Sequence, residues 1–369
     1  MKYRINQVKP YIDNTELKFL QKPINKNFIT EGPQSKLFLN KLLKITGSRY
    51  GVLAPNGTLA ITVAIMALGL KKGDEIIIPN FTFYGSYSAA ILAGLKPILC
   101  DVDKENFQID LNSAKKIITR KTKAIMPVHI YGGSVNMNDV LKFSKKYKLK
   151  VVEDAAQALG VRYKGKSAGS FGDVGAFSFY ADKAITTGEG GLIVTNNKKI
   201  YTNLLLIRNQ GRIKSGTFIH NNLGYNFRFN DILAAIGLSQ LRKFNLIKKK
   251  KLEIYKKFKK NLQDLNEVKF FEPIKNSNFI PFRVPIIVKN LKKLMVFLEN
   301  NKVQTRSFFY PLHTQKGVNK KFTQNSKDQI FFKNSIYGNK QGLALPCYPS
   351  LKNSDILFIC KKIKEFYAK

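Results

Sequence analysis

Between residues 50 and 195 short apolar runs alternate with longer amphipathic stretches, and the chain changes character only near residue 245. Tyr50-Gly51-Val52-Leu53 reads as a strand, closed by the turn Pro55-Asn56-Gly57 ahead of an apolar helix over 58–70. Lys72-Gly73-Asp74 turns the chain into a strand over 75–79, followed by a helix over 84–93 and a strand over 97–100. Further strands fall at 124–126, 150–152, 175–178 and 192–194. Runs this continuously β-branched, separated by helices, predict an α/β fold with a mostly parallel central sheet buried on both faces.

The stretch 230–241 (NDILAAIGLSQL) is apolar almost all round, behind Asn230 as N-cap. Such a helix is buried against the core or against a second subunit. From Arg242 the pattern shifts to long charged helices, then an apolar run over 280–288 and helices over 291–299 and 354–366. This predicts a large α/β domain over 1–245, with an N-terminal arm, and a smaller C-terminal α+β domain over 246–369. A length of 369 residues favours the same division.

Composition narrows the functional classes. No repeat or low-complexity block interrupts the chain, which argues against a solenoid or a linker protein. The first twelve residues lack the apolar run of a signal peptide, and the apolar stretch 88–95 is too short for a bilayer span. No membrane partner is expected. Three widely spaced cysteines fit neither a disulfide framework nor a metal pair, and a reducing cytoplasm suits them best. The net charge of +39 raises the question of a polyanion partner. Lysine far outnumbers arginine, and lysines cluster in apparent helices at 145–146, 248–251 and 361–362. With no helix-turn-helix, zinc or RNA-binding signature beside it, the charge reads as solvated surface, and no nucleic-acid partner is expected. It can still help to hold an anionic substrate.

Three places carry candidate chemistry, all where ligands of parallel sheets bind, beyond the carboxyl ends of strands. Asn56-Gly57-Thr58 lies between a strand and a helix, which is either a plain capped turn or a phosphate site at a helix start. Glu153-Asp154-Ala155-Ala156-Gln157 follows a strand, and an acid there can be a metal ligand, a general base or the partner of a protonated ring nitrogen. No cluster of metal spacing accompanies it, so no metal is expected. Lys183 stands between two buried strands among small and uncharged neighbours, with Gly188, Gly190 and Gly191 returning the chain. A lysine desolvated there has a lowered pKa and becomes a Schiff-base nucleophile, whereas most lysines are plain surface.

The order of Asn56-Gly57-Thr58, the 153–157 run, the 178–191 run and Gly224-Tyr225-Asn226-Phe227-Arg228 resembles the DegT/StrS family along nearly the whole chain. Pro79-Asn80-Phe81-Thr82-Phe83, Pro127 to Gly132 and Leu345 to Pro349 add to the likeness. The resemblance implies the aspartate-aminotransferase-like fold type I of pyridoxal phosphate (PLP) enzymes, with PLP as cofactor. It also implies roles. Lys183 is the Schiff-base lysine and proton shuttle, Asp154 pairs with the pyridine nitrogen, and Gln157 lies near the ring's 3-oxygen. Phe83 stacks on the ring. Gly57, Thr58 and Ser178 hold the phosphate, and Asn226 reaches it from a second subunit of a homodimer with shared active sites. Arg228 meets an anionic substrate group.

Within the family, Lys183 in place of a histidine favours amino transfer over dehydration. The run Ile185 to Gly191 resembles enzymes that aminate the C4 ketone of a sugar nucleotide. His220 and the stretch 306–313, with Tyr310 and His313, resemble the branch that takes GDP-4-keto-6-deoxymannose to GDP-perosamine, with glutamate as donor in a ping-pong reaction. A dTDP- or UDP-linked keto sugar and a PLP-dependent dehydratase stay open as alternatives. His129 fits a structural role as well as a functional one, while His220 and His313 are expected at the substrate or the dimer edge. Ser307 stands where such enzymes often carry Pro, and Cys347 where Ser is common.

Overall fold

The computed structural model describes residues 3–212, 218–319 and 331–368. The chain opens with helices α1 (Asn14–Asn25) and α2 (Pro33–Thr46). It then alternates β1 (Tyr50–Ala54), α3 (Gly57–Met66), β2 (Glu75–Pro79), α4 (Tyr84–Leu92), β3 (Lys96–Cys100), α5 (Leu111–Lys115), β4 (Thr122–Ile125), α6 (Met137–Tyr147) and β5 (Lys150–Asp154). A hairpin of β6 (Arg162–Tyr163) and β7 (Lys166–Ser167) leads to β8 (Val174–Ser178), β9 (Gly191–Thr195) and α7 (Lys198–Arg208). After α8 (Asp231–Leu262) come β10 (Val268–Phe270), β11 (Val284–Val288), α9 (Leu291–Asn300), β12 (Arg306–Ser307), α10 (Lys333–Gln341), β13 (Gly342–Leu345) and α11 (Asn353–Tyr367).

Seven strands form one sheet in the order β1-β9-β8-β5-β4-β2-β3. Neighbours from β8 to β3 pair in parallel, and β9 runs antiparallel to both β1 and β8. The mostly parallel sheet expected from the pattern is present. Parallel pairing needs a crossover, normally a helix. The loop from β8 to β9 contains none, so these strands turn back on each other, and that loop carries Lys183. Strands β2, β8 and β9 are buried along their whole length, as their apolar runs require.

A second sheet, β10-β11-β13-β12, is covered by α9 and α11. Helix α8 joins the two bodies as one rod of 32 residues, with residue 245 in its interior. Its buried positions continue at helical spacing through Phe244, Ile247, Lys251, Ile254, Phe258 and Leu262, which keeps one face inward while lysines cover the rest. The apolar first half is covered within this chain by α1 and α2. Gly237 lets the Phe38 ring approach so closely that a Cβ would lie 2.5 Å from it.

Two sequence expectations change here. The lysine run 248–251 is not wholly solvated, because Lys251 is only 3% exposed. Its ammonium donates to the carbonyls of Cys347 (2.6 Å), Pro281 (3.2 Å) and Phe282 (3.3 Å), so three dipoles replace water. The N-terminal arm also reaches the second sheet. Ile5 bridges Val303, and the Gln7 side chain donates to the Ala344 carbonyl at 3.0 Å.

The start of α2 is capped from α8. Buried Asp231 accepts from the N–H groups of Gly32 (2.9 Å), Gln34 (2.9 Å) and Ser35 (2.8 Å), and from the Ser35 hydroxyl (2.7 Å). Asp231→Ala strands these donors and should lower stability by about 2–3 kcal/mol in urea unfolding. An unchanged unfolding midpoint would mean that packing alone holds α2.

Candidate active site

The carboxyl ends of the parallel strands gather most of the residues singled out in the sequence. Asp154 ends β5 and Ser178 ends β8, while β1 and β2 lead into the starts of α3 and α4. Asn56 caps α3 by accepting from Leu59 N–H at 2.9 Å. The first amides of α3, at Gly57 and Thr58, then have no partner within the helix. A Cβ on Gly57 would lie 2.7 Å from Cβ of Ser178 and 3.0 Å from its hydroxyl. On Gly85, in α4, a Cβ would lie 3.0 Å from the Thr58 hydroxyl. Two helix starts and two hydroxyls therefore converge where glycine leaves room. Such a cradle suits an anion.

Adjacent residues of a strand face opposite ways, and the end of β5 uses this. Glu153 is fully buried and accepts from the amides of Phe171 (2.6 Å), Gly172 (2.6 Å) and Gly169 (2.8 Å). His129 Nε2 stands 2.9 Å from Glu153. The Val135 N–H points at His129 Nδ1 at 3.1 Å, so Nδ1 accepts and Nε2 donates. His129 is thus committed to structure, which decides between its two readings.

Asp154 faces the other way and is 5% exposed. It accepts from the Ser86 hydroxyl at 2.7 Å and from Ala156 N–H at 3.0 Å. Among the described residues no ion pair reaches it. A buried carboxylate served only by neutral donors suits a cationic ring nitrogen. Gln157 accepts from Tyr131 N–H at 2.8 Å, steadying Tyr131 at a positive φ of 55°. Tyr131 stacks on Phe309 at 5.6 Å, and Phe309 meets Phe83 edge-on at 6.3 Å. Phe83 itself is 62% exposed, an apolar ring at the mouth of the site.

Lys183 lies in a braced loop. Its N–H donates to Tyr180 O at 3.0 Å, and Thr187 N–H donates to Phe179 O at 3.0 Å. The Thr186 hydroxyl donates to Phe179 O at 3.1 Å and accepts from Gly188 N–H at 2.9 Å, with Gly188 at φ 84°. The Lys183 side chain is 15% exposed, with its ammonium 4.4 Å from the centre of the Phe282 ring and 3.7 Å from Asp182 Oδ1. Burial holds its pKa below the usual lysine value, against the opposing pull of Asp182 and Asp154. A lysine so placed keeps a larger share of free amine, the form that attacks carbonyls.

The remaining candidates stand apart. Asn226 and Arg228 are exposed and bonded to each other, Arg228 Nε donating to Asn226 Oδ1 at 3.0 Å. Among the described residues no hydrogen bond or ion pair ties either to Lys183, Asp154 or Ser178. His220 is exposed, with Nδ1 2.7 Å from Gln210 O, and Tyr310 is 61% exposed. His313 is tied to Asn80 twice. Its N–H donates to Asn80 Oδ1 at 2.9 Å, so the Asn80 amide donates back to Nδ1 at 2.8 Å. Its ring stacks on Phe332 at 4.6 Å. Ser86, Asp182, Phe282 and Arg283 were not foreseen, although Asp182 adjoins Lys183. Only folding brings the other three within reach.

Residues 10–364 match the profile of the DegT/DnrJ/EryC1/StrS aminotransferase family. The chain belongs to that family. The DegT/DnrJ/EryC1/StrS chain is thereby an aminotransferase with the expected fold type I. It is 35% identical over 370 residues to a GDP-perosamine synthase of Escherichia coli O157:H7, covering 100% of both chains. It is 32% identical to a GDP-perosamine synthase of Vibrio cholerae, over 97% of this chain and 98% of that one. Among solved structures, an E. coli GDP-4-keto-6-deoxy-D-mannose-3-dehydratase with bound hydrated PLP superposes with a TM-score of 0.89. That pair is 25% identical, with 98% of this chain and 99% of that one covered. One fold thus houses two chemistries, and side chains must choose between them.

Burial lowers the pKa of His313 from the ordinary 6.5. The folded chain then binds fewer protons there than the unfolded chain. Its contribution to stability is present above the unfolded value and is lost as pH falls through the lower folded value. In His313→Asn, the urea midpoint should therefore drop less than in the parent between about pH 7 and about pH 5. Parallel pH curves for the two proteins would contradict this.

Proposed function

We propose that the protein binds PLP through Lys183 and moves the amino group of glutamate onto C4 of GDP-4-keto-6-deoxymannose, forming GDP-perosamine. The enclosed amine of Lys183 carries the choice of chemistry, because one group both forms a Schiff base and relays a proton. Two relatives matched along their whole length bear the name of the synthase, which supports the GDP-linked sugar.

The residues present fit the cofactor. When bound, PLP supplies an aldehyde that carries the amino group and a pyridinium ring that accepts electrons. Asp154 keeps the proton on the ring nitrogen, and the Ser86 bond keeps that carboxylate aimed. Gly57, Thr58 and Ser178 hold the phosphate against the starts of α3 and α4. Phe83 covers a ring face, and Gln157 has its amide NH2 left for the ring oxygen. Lys183 takes a proton from the donor's carbon and later returns one to the sugar's, since both half-reactions pass the same amine. We assign Tyr310 and His313 to the sugar nucleotide.

Asn226, Arg228 and His220 act across a homodimer, with Asn226 reaching the partner's phosphate. The segment leading to them supports this, because Phe218, Ile219 and Leu223 are 90%, 70% and 80% exposed. Apolar side chains this exposed and this close together mark an interface. Helices α1 and α2 and the loop between them add Leu17, Ile24, Phe28 and Leu37, each at least 45% exposed. We place the enzyme in the cytoplasm. The three cysteines are buried free thiols, which supports a reducing compartment. Among the described residues no helix is long and apolar enough to cross a membrane.

The test offers glutamate with GDP-, dTDP- and UDP-linked keto sugars, following 2-oxoglutarate and the amino sugar. GDP-4-keto-6-deoxymannose should be the preferred acceptor. Amination of dTDP-4-keto-6-deoxyglucose alone refutes the GDP preference, and turnover without 2-oxoglutarate points to dehydration. Lys183→Ala should lose the lysine-linked cofactor absorbance and at least about 10³-fold in rate. A variant that keeps both sinks the assignment.

A further inference from the structure

One buried carboxylate oxygen next to Lys183 has no use in the scheme above. Asp182 is 12% exposed and binds Arg283 through Oδ2, with Arg283 Nη2 at 2.7 Å. Its other oxygen, Oδ1, is buried and accepts no hydrogen bond. It stands 3.7 Å from the Lys183 ammonium, which rests on the Phe282 ring. Arg283 is nearly enclosed itself, at 8% exposure of its side chain, and lies 4.8 Å over the same Phe282 ring. Lysine, aspartate, arginine and phenylalanine thus form one closed group on the side of the loop facing the second sheet.

The geometry points to Asp182 as a positioning residue for Lys183. Its open oxygen docks the lysine ammonium whenever that nitrogen is not bonded to carbon, and Arg283 limits how tightly the ammonium is held. This rests on the reading of Lys183 as the cofactor lysine. The balance has a chemical purpose. Before it attacks the cofactor's carbonyl carbon, the ammonium must give up a proton. The C–N bond then forms and the carbonyl oxygen leaves as water. A bare carboxylate beside the lysine would keep it protonated, and no carboxylate would leave it unanchored among apolar atoms. Arg283 shares the charge of Asp182 through Oδ2 and leaves Oδ1 enough of it to orient the amine.

The other charged and titratable groups around the lysine are few. Asp154 acts on it from β5 and favours the ammonium, as Asp182 does, while Arg283 opposes it. Lys251 of α8, Lys9 and Tyr11 of the N-terminal arm, and Cys347 and Tyr348 after β13 line the same small cavity. The Lys251 ammonium is occupied by its three carbonyls. The Asp182–Arg283 pair is therefore the element whose two members act on Lys183 with opposite sign.

The test is the rate at which cofactor-free protein captures PLP at Lys183, followed by absorbance across pH. Capture needs the free amine, so the midpoint of the rate profile reports the lysine's proton affinity. Asp182→Asn keeps the shape of the side chain, removes the charge, and should move the midpoint down by about one pH unit or more. Arg283→Gln should move it up by a similar amount, and Arg283→Lys should restore the parent value. Below the midpoint these shifts read as about tenfold faster and about tenfold slower capture at fixed pH. General loosening of the site cannot move the midpoint in opposite directions. Midpoints that stay put, or move the same way, overturn the role of the pair while leaving Lys183 as the cofactor lysine. If Arg283→Gln does not fold, an unmoved midpoint in Asp182→Asn is enough to overturn it. Parent protein that captures no PLP, or captures it equally well with Lys183→Ala, ends both readings.

Discussion

At the end of β5 two carboxylates sit side by side in the interior, and the rest of the site is arranged around the need to satisfy each of them. Glu153 takes three backbone amides and His129, all within 2.9 Å. Hydrogen bonds to a charged acceptor contribute about 1.5–3 kcal/mol each, and an unserved buried carboxylate costs several. Satisfying Glu153 therefore fixes the 169–172 turn, and with it the entry to β8. Asp154, turned the other way, is left with one hydroxyl and one amide. The asymmetry makes one acid scaffold and the other available for chemistry.

The same economy governs the lysines. Among the lysines, Lys251 goes fully inside and Lys183 most of the way, and each is met differently. Lys251 is wrapped by three carbonyls that pin the 281–282 backbone and Cys347 to α8. It thereby sets the wall on which Phe282 rests, and Phe282 in turn carries the Lys183 ammonium. Lys183 has no such wrapping. Its burial without full compensation is what depresses its proton affinity. The two bodies of the molecule meet at this point, since the wall comes from the second sheet and the loop from the first.

The parallel sheet was legible because strands buried on both faces must be apolar throughout, and helices between them must be amphipathic. Asn230 announced its helix by type and position and caps it as expected, while the cap of α3 turned out to be Asn56. The length of α8 was not legible. Its charge pattern changes at Arg242 while the buried stripe continues, and only the spacing to Leu262 shows one helix. The cap of α2 by Asp231 was equally hidden, because donor and acceptor lie 196 or more residues apart.

Chain order by itself determined that Asp154 and Ser178 end strands and that Gly57 and Lys183 stand in the connections beyond strands, because strand ends are marked by local patterning. It left open which side each residue serves. Glu153 and Asp154 are neighbours of the same type, and the pleat alone sends them to opposite faces. Lys251 and Lys248 belong to one run, yet only the packing of α8 decides that Lys251 turns inward. The partner of Asp182 comes from 101 residues away, so no local signal could reveal it. Burial, and hence the altered proton affinity of Lys183, is a property of everything that folds around it. That is why the lysine could be found in the sequence but its balance of charges could be read only in the fold.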